Sequence, residues 1–95
     1  VIEILTFSLA AGADEAAFLT ADRRVQTEFA YVQRGLLRRT TAKGSEGDWL
    51  VLDIWHSAED ADACDSLWGE DEVTATFMSF VDRATVRTAR YTTLD

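Results

Sequence analysis

The chain has one histidine, His56, one cysteine, Cys64, a single lysine, Lys43, and no long apolar run. Each scarcity removes a class of function. With one thiol no internal disulfide forms, so nothing demands an oxidising compartment and the expected location is cytoplasmic. One histidine and one cysteine cannot build the usual zinc site within a subunit. Nine basic residues stand against 17 acidic ones, for a net charge of −8. A phosphate backbone requires a concentrated basic face, so nucleic acid is not an expected partner. A bilayer span needs roughly 20 apolar residues, and no stretch approaches that, so a soluble protein without membrane association is expected. The opening VIEILTFSLAAGA lacks a basic start and is interrupted by Glu3, Thr6 and Ser8, which makes it a strand rather than a signal peptide. The acidic stretch EDADACDSLWGEDE fails as a calcium loop. Started at Asp60, it sets Cys64 and Asp65 where a ligand and the obligatory glycine belong. It reads instead as a solvated helix face, and no metal site is expected. No phosphate-cradling glycine motif is present either, so no cofactor is implied.

What is present organises into one domain over residues 1–95. Val1 to Leu9 is β-rich. After the AAGAD turn, Phe18, Ala21, Val25, Phe29 and Val32 recur at helical spacing, predicting a helix from Asp14 to Tyr31. Gly35 ends it. LLRRTTA and WLVLDIWH, joined by the polar KGSEGD, predict a hairpin. Ser57 followed by Asp60 has capping-box spacing and starts a second helix, with Ala61, Cys64, Leu67 and Trp68 on its apolar side. Gly69 interrupts, and a further helical segment carries Val73, Phe77, Phe80 and Val81 before the final strand VRTARYTTL. There are no repeats or low-complexity tracts.

The order βαββαβ predicts an α+β, ferredoxin-like fold: a four-stranded antiparallel sheet with helices on one face. In the third strand Leu50, Leu52 and Ile54 point one way and Trp49, Val51 and Trp55 the other, so both faces are apolar. A strand with a solvated face alternates with polar residues. The uncovered face is therefore expected to meet a second copy, forming a homodimer through the sheet. Which face meets the helices stays open at this level.

IEILTFSL, DWLVLDIWHSAEDA, FMSFVD and VRTARY together resemble the dimeric α+β barrel superfamily, in particular its small antibiotic-biosynthesis-monooxygenase-like members, over essentially the whole chain. The resemblance implies a ligand cavity between sheet and helices. It also implies cofactor-free oxygenation of a small aromatic or polyketide-like ligand as one activity. Haem degradation, the other well-known activity of such proteins, uses an Asn on the first strand with a Trp and a His on the later helix. This chain has no Asn and no His beyond His56, and it carries Cys64 where that Trp would stand.

Several residues are candidates for the chemistry. His56, where the third strand gives way to the second helix, would serve as a catalytic base toward a phenolic ligand, or is simply a half-exposed strand end. Trp55, Trp68, Tyr91 and Cys64 are candidates for binding a ligand; the bland alternative is ordinary aromatic core, a buried thiol and a solvated tyrosine. Asp53 is the odd residue on an apolar face and calls for a cation. With a turn near Ser45, Arg38 or Arg39 lies across from it, and a structural Asp53–Arg38 ion pair at the dimer interface is expected over a catalytic base. Two functional readings follow: a cofactor-independent monooxygenase, or a non-catalytic dimeric module binding a small hydrophobic molecule or a protein partner. An open sheet–helix space containing an inward ionisable group would favour the first.

Overall fold

The computed structural model describes residues 1–94. Strand β1 (Ile2–Leu9) leads to helix α1 (Glu15–Arg24), which runs on through a π-helical turn (Val25–Phe29) and a 3-10 turn (Ala30–Val32). Strands β2 (Leu36–Lys43) and β3 (Asp48–Trp55) follow, then helices α2 (Ala58–Leu67) and α3 (Glu72–Ser79), and strand β4 (Val81–Tyr91) closes the fold. The sheet is antiparallel throughout, in the order β2-β3-β1-β4. This is the ferredoxin-like arrangement expected from the sequence.

Local chemistry explains the element boundaries. The Asp14 carboxylate accepts from the backbone N–H groups of Ala16 and Ala17, and the Ser57 hydroxyl accepts from that of Asp60, so both predicted helix starts are capped. Asp71 caps α3, accepting from the Thr74 backbone N–H and hydroxyl. The same Thr74 hydroxyl accepts from Gly69 N–H at 2.9 Å, which ties down the α2–α3 turn beside Trp68. The helical run after β1 changes winding twice, and Val32, aligned with the apolar stripe in an ideal helix, ends up exposed. Leu67 is likewise exposed rather than packed. Strand β4 begins at Val81, earlier than the sequence pattern suggests, because a register shift between Thr6 and Ser8 accommodates the extra residues.

Strand alternation decides the face left open above. Trp49, Val51 and Trp55 are buried with Phe7 against Phe18, Val25, Phe29, Ala61 and Phe77 of the helical layer. The rings meet edge to face: Phe18–Trp49 at 5.0 Å, Trp68–Phe77 at 5.5 Å and Phe29–Trp68 at 5.6 Å between centroids. Ile2, Ile4, Leu50, Leu52 and Ile54 lie on the opposite face, only partly buried.

Candidate functional site

Packing between sheet and helices is incomplete, leaving a cavity of about 450 Å³. That is within the range of small-molecule sites, roughly 300–1,000 Å³. Its walls are Trp55 from β3, Cys64 from α2 and Trp68 just past its end, Phe29 from the π-helical turn and Phe77 from α3. The wall made by the sheet is different in kind. Arg39 pairs with Asp53, Asp53 with Glu3, and Glu3 with Arg90, so one cross-strand row of four charged residues runs from β2 to β4 on the helix-facing side. All four line the cavity.

The outer members of the row are held by ion pairs. Arg90 donates to Glu3 at 2.8 Å, to Asp62 at 2.7 Å and to Asp65 at 3.1 Å, joining β4 to β1 and α2 at the rim. Partial burial and the neighbouring Glu3 push the Asp65 carboxyl up from its ordinary range, against the opposing pull of Arg90. At the other end Arg39 is 5 % exposed. Its Nη2 donates to Asp22 Oδ1 at 2.8 Å, and the same oxygen accepts from the Thr41 hydroxyl at 2.9 Å. The guanidinium lies 5.9 Å from the Phe77 ring centre. Tyr31 fixes the backbone beneath: its hydroxyl accepts from Arg39 N–H at 2.9 Å and donates to Arg39 C=O at 3.3 Å.

Asp53, between these anchored ends, is left over. Its Oδ1, together with Arg39 Nη1 and Trp55 Nε1, is buried without a hydrogen-bond partner among the described residues. A buried carboxylate resists ionisation. Burial lifts the Asp53 carboxyl to about 6; Arg39 opposes the rise, while Glu3 and Asp22 add to it. Such a group is largely ionised at neutral pH yet basic enough to take a proton. The Cys64 thiol is pushed up to about 12, by burial first and by Asp65 second, so it stays protonated and unreactive.

Trp55, Trp68 and Cys64 are thus brought together on the cavity wall, and His56 and Tyr91 are not. His56 is exposed and lies outside the cavity, with its backbone N–H bound to Gly35 C=O at 2.7 Å. The alternation that turns Trp55 inward turns the next residue away. Tyr91 pairs with Ile2 on the outer face and is 56 % exposed. The expected Asp53–Arg38 pair is replaced as well. Arg38 sits opposite Ile54 on the outer face and bonds Thr40, whereas Arg39 faces Asp53. The cause is the centre of the turn: pairing runs unbroken from Lys43–Trp49 to Arg38–Ile54, so the hairpin folds about Glu46 and sets Arg39 opposite Asp53. A turn centred between Ser45 and Glu46 would set Arg38 against Asp53; the bulge between Leu36 and Arg38 lies farther from the turn than either arginine.

Sequence reasoning missed Asp22 and Glu3, and named Arg39 only as the alternative to Arg38. Asp22 had a usable signal: it falls four residues after Phe18 and three before Val25, a carboxylate on the apolar stripe of α1. Among the described residues, no three His, Cys, Asp or Glu side chains cluster so as to hold a metal ion, and no helix is long and apolar enough to cross a membrane.

No protein-family model matches the chain, and no curated protein matches it in sequence. Solved structures do resemble it. SnoaB, a cofactor-independent oxygenase from Streptomyces nogalater, superposes with a TM-score of 0.74 at 15% identity, over 99% of this chain and 96% of that one. At3g17210 from Arabidopsis thaliana gives 0.79 at 12% identity, over 100% and 96%. Rv0793 from Mycobacterium tuberculosis gives 0.70 at 13% identity, over 99% and 94%. The likeness to antibiotic-biosynthesis-monooxygenase-like proteins read from the sequence holds at the level of the fold.

Proposed function

We propose that this chain, which shares its fold with the cofactor-independent oxygenase SnoaB, is itself a cofactor-independent monooxygenase. It acts on a small aromatic, polyketide-like molecule held between sheet and helices, and works as a homodimer joined through the outer sheet face. The observation that carries this reading is Asp53: a half-buried carboxylate whose Oδ1 is enclosed without a partner among the described residues, in an aromatic-walled cavity, with its proton affinity raised toward neutrality. The role first considered for His56 passes to it, because a general base must lie within reach of the proton it removes.

The chemistry balances without an external reductant. Asp53 takes one proton from a ring methylene flanked by aromatic rings and activated by a conjugated carbonyl. The carbanion gives its electron pair to dioxygen, forming a C–O bond, and the peroxide recovers a proton. Loss of water, with cleavage of the second C–H bond, leaves a new carbonyl. One oxygen atom enters the product and the other leaves as water.

Oxygen uptake with anthrone as probe tests the reading. Asp53→Asn is expected to lower turnover by about 100-fold or more, the usual contribution of a general base, while His56→Ala leaves it essentially unchanged. Anthrone binding without oxygen uptake would instead identify a carrier.

A further inference from the structure

Helix α2 is the loosest wall of the cavity. Its buried residues are Ala61 and Cys64, whose small side chains remove little apolar area from water, whereas α1 and its π-helical turn set Phe18, Val25 and Phe29 into the core. A segment held by so little apolar packing belongs to the part of a structure that opens most readily. What ties α2 to the sheet is one side chain. Arg90, on β4, donates through Nη1 to Asp62 at 2.7 Å and through Nη2 to Asp65 at 3.1 Å. Among the described residues, every ion pair between α2 and another element is one of these two. Arg90 is itself seated on the sheet: Nε and Nη2 both donate to Glu3 Oε2, at 3.2 and 2.8 Å, across the β1–β4 pairing. Cys64 and Asp65 line the cavity from the helix side, and Glu3, Ala89 and Arg90 from the sheet side. Because β4 is an edge strand, and the Arg90, Asp62 and Asp65 side chains are part-exposed, the seam between them faces solvent.

We propose that the seam between α2 and β4 is the gate of the cavity and that Arg90 is its latch, so that a ligand enters or leaves when the Arg90 bridges to Asp62 and Asp65 break and α2 moves off the sheet. Glu3 keeps the guanidinium on the sheet while they do. The charges explain why a single arginine suffices. Three carboxylates, those of Glu3, Asp62 and Asp65, surround one guanidinium, so α2 is drawn to the sheet only while Arg90 stands between them; without it Glu3 repels both helix acids. Exposed ion pairs are individually weak, and weakness is what a gate requires, because such bridges break often and reform quickly. A latch of this kind also ties access to ionic strength, since salt screens exposed pairs.

This inference rests on the cavity being the functional site, as proposed above, but not on its oxygen chemistry. Cys64 reports the gate: it is the only thiol of the chain, it lies on α2 and lines the cavity, and at 8 % exposed it meets a reagent only when the helix moves. The test is the rate at which the neutral disulfide 4,4′-dithiodipyridine labels it, in dilute buffer and at about 0.5 M sodium chloride. The parent is expected to label far more slowly than a free thiol. The Asp62→Asn, Asp65→Asn pair removes the attraction and should speed labelling in dilute buffer by roughly three- to tenfold, the scale of two exposed ion pairs; Arg90→Gln adds repulsion and should speed it further. High salt should then accelerate the parent, leave the paired variant unchanged and slow Arg90→Gln. Arg24→Gln breaks a similar pair of exposed bridges, from α1 to Glu28 and Glu72, and should leave labelling as it is. Urea denaturation of each variant gives the share of labelling that passes through the unfolded chain, and the gate predicts a rate above that share. Parent labelling as fast as a free thiol, labelling unchanged in both latch variants, or a rise no larger than the gain in unfolded chain overturns the latch. Labelling needs no substrate, so labelling as expected without oxygen uptake from anthrone would defeat the oxygenase reading and leave the latch standing; uptake with labelling unaltered by the variants would do the reverse.

Discussion

Asp53 carries a cost that a purely structural residue would not. Its carboxyl titrates near 6 in the folded chain against an ordinary value of 3.8. Below the ordinary value it is protonated whether the chain is folded or not, and no stability is lost. As pH rises from there through about 6, the unfolded state releases its proton first, and the folded state becomes progressively less favoured. We expect Asp53→Asn, neutral at every pH, to lack this loss. At pH 7.5 it should be more stable than the parent by about 2 kcal/mol, a shift of this size being discounted for partial solvent access. At pH 3.5 the two should be nearly equal. Urea denaturation at both pH values checks this, and a variant less stable at pH 7.5 would show that Asp53 has a partner in solution. Stability sacrificed at one buried group is what a functional site exhibits.

At the scale of elements, the segment from Gly35 to Arg39 sets the geometry of the site. Gly35 has φ +84°, and a Cβ there would collide with the Asp60 side chain at the start of α2. Its carbonyl accepts from His56 N–H, so it holds the entry to β2 against the exit of β3. Gly35→Ala is expected to destabilise the fold by roughly 2 kcal/mol through the left-handed backbone and the clash together. Adding Asp60→Ala should recover the steric part. Thermal denaturation of the single and double variants separates the two effects. The hairpin turn centred on Glu46 chooses which arginine faces Asp53, and the bulge between Leu36 and Arg38 sets Leu36 beside Trp55. Moving the turn centre between Glu46 and the Ser45–Glu46 peptide shifts every cross-strand partner by one residue, which is why an expectation built on a turn near Ser45 landed one residue away.

At the scale of the whole molecule, three helices cover one face of the sheet and leave Ile2, Ile4, Leu50, Leu52 and Ile54 on the other. The proposed dimer buries that face. Leu52→Glu is expected to convert dimer to monomer in sedimentation velocity, since a charge buried at the centre of such an interface has no partner. Anthrone binding should largely persist, because the cavity lies on the opposite side of the sheet. A parent protein that sediments as a monomer would remove the dimer from the proposal.

The amino-acid sequence alone determined the order of elements, the start of α1 and the capped start of α2, the apolar character of both sheet faces, and the oddity of Asp53. These follow from local periodicity and from side-chain chemistry within a few residues. The three-dimensional structure decided the rest. Periodicity says that a strand has two faces and not which of them meets the helices. Local residue chemistry does not say where in KGSEGD the turn is centred, yet that centre exchanges Arg38 for Arg39. The cavity is a shortfall of packing between Trp55, Phe29, Trp68 and Phe77, side chains from four separate segments. Volume left unfilled between such segments is a property of how they dock, and it exists only once the chain has folded.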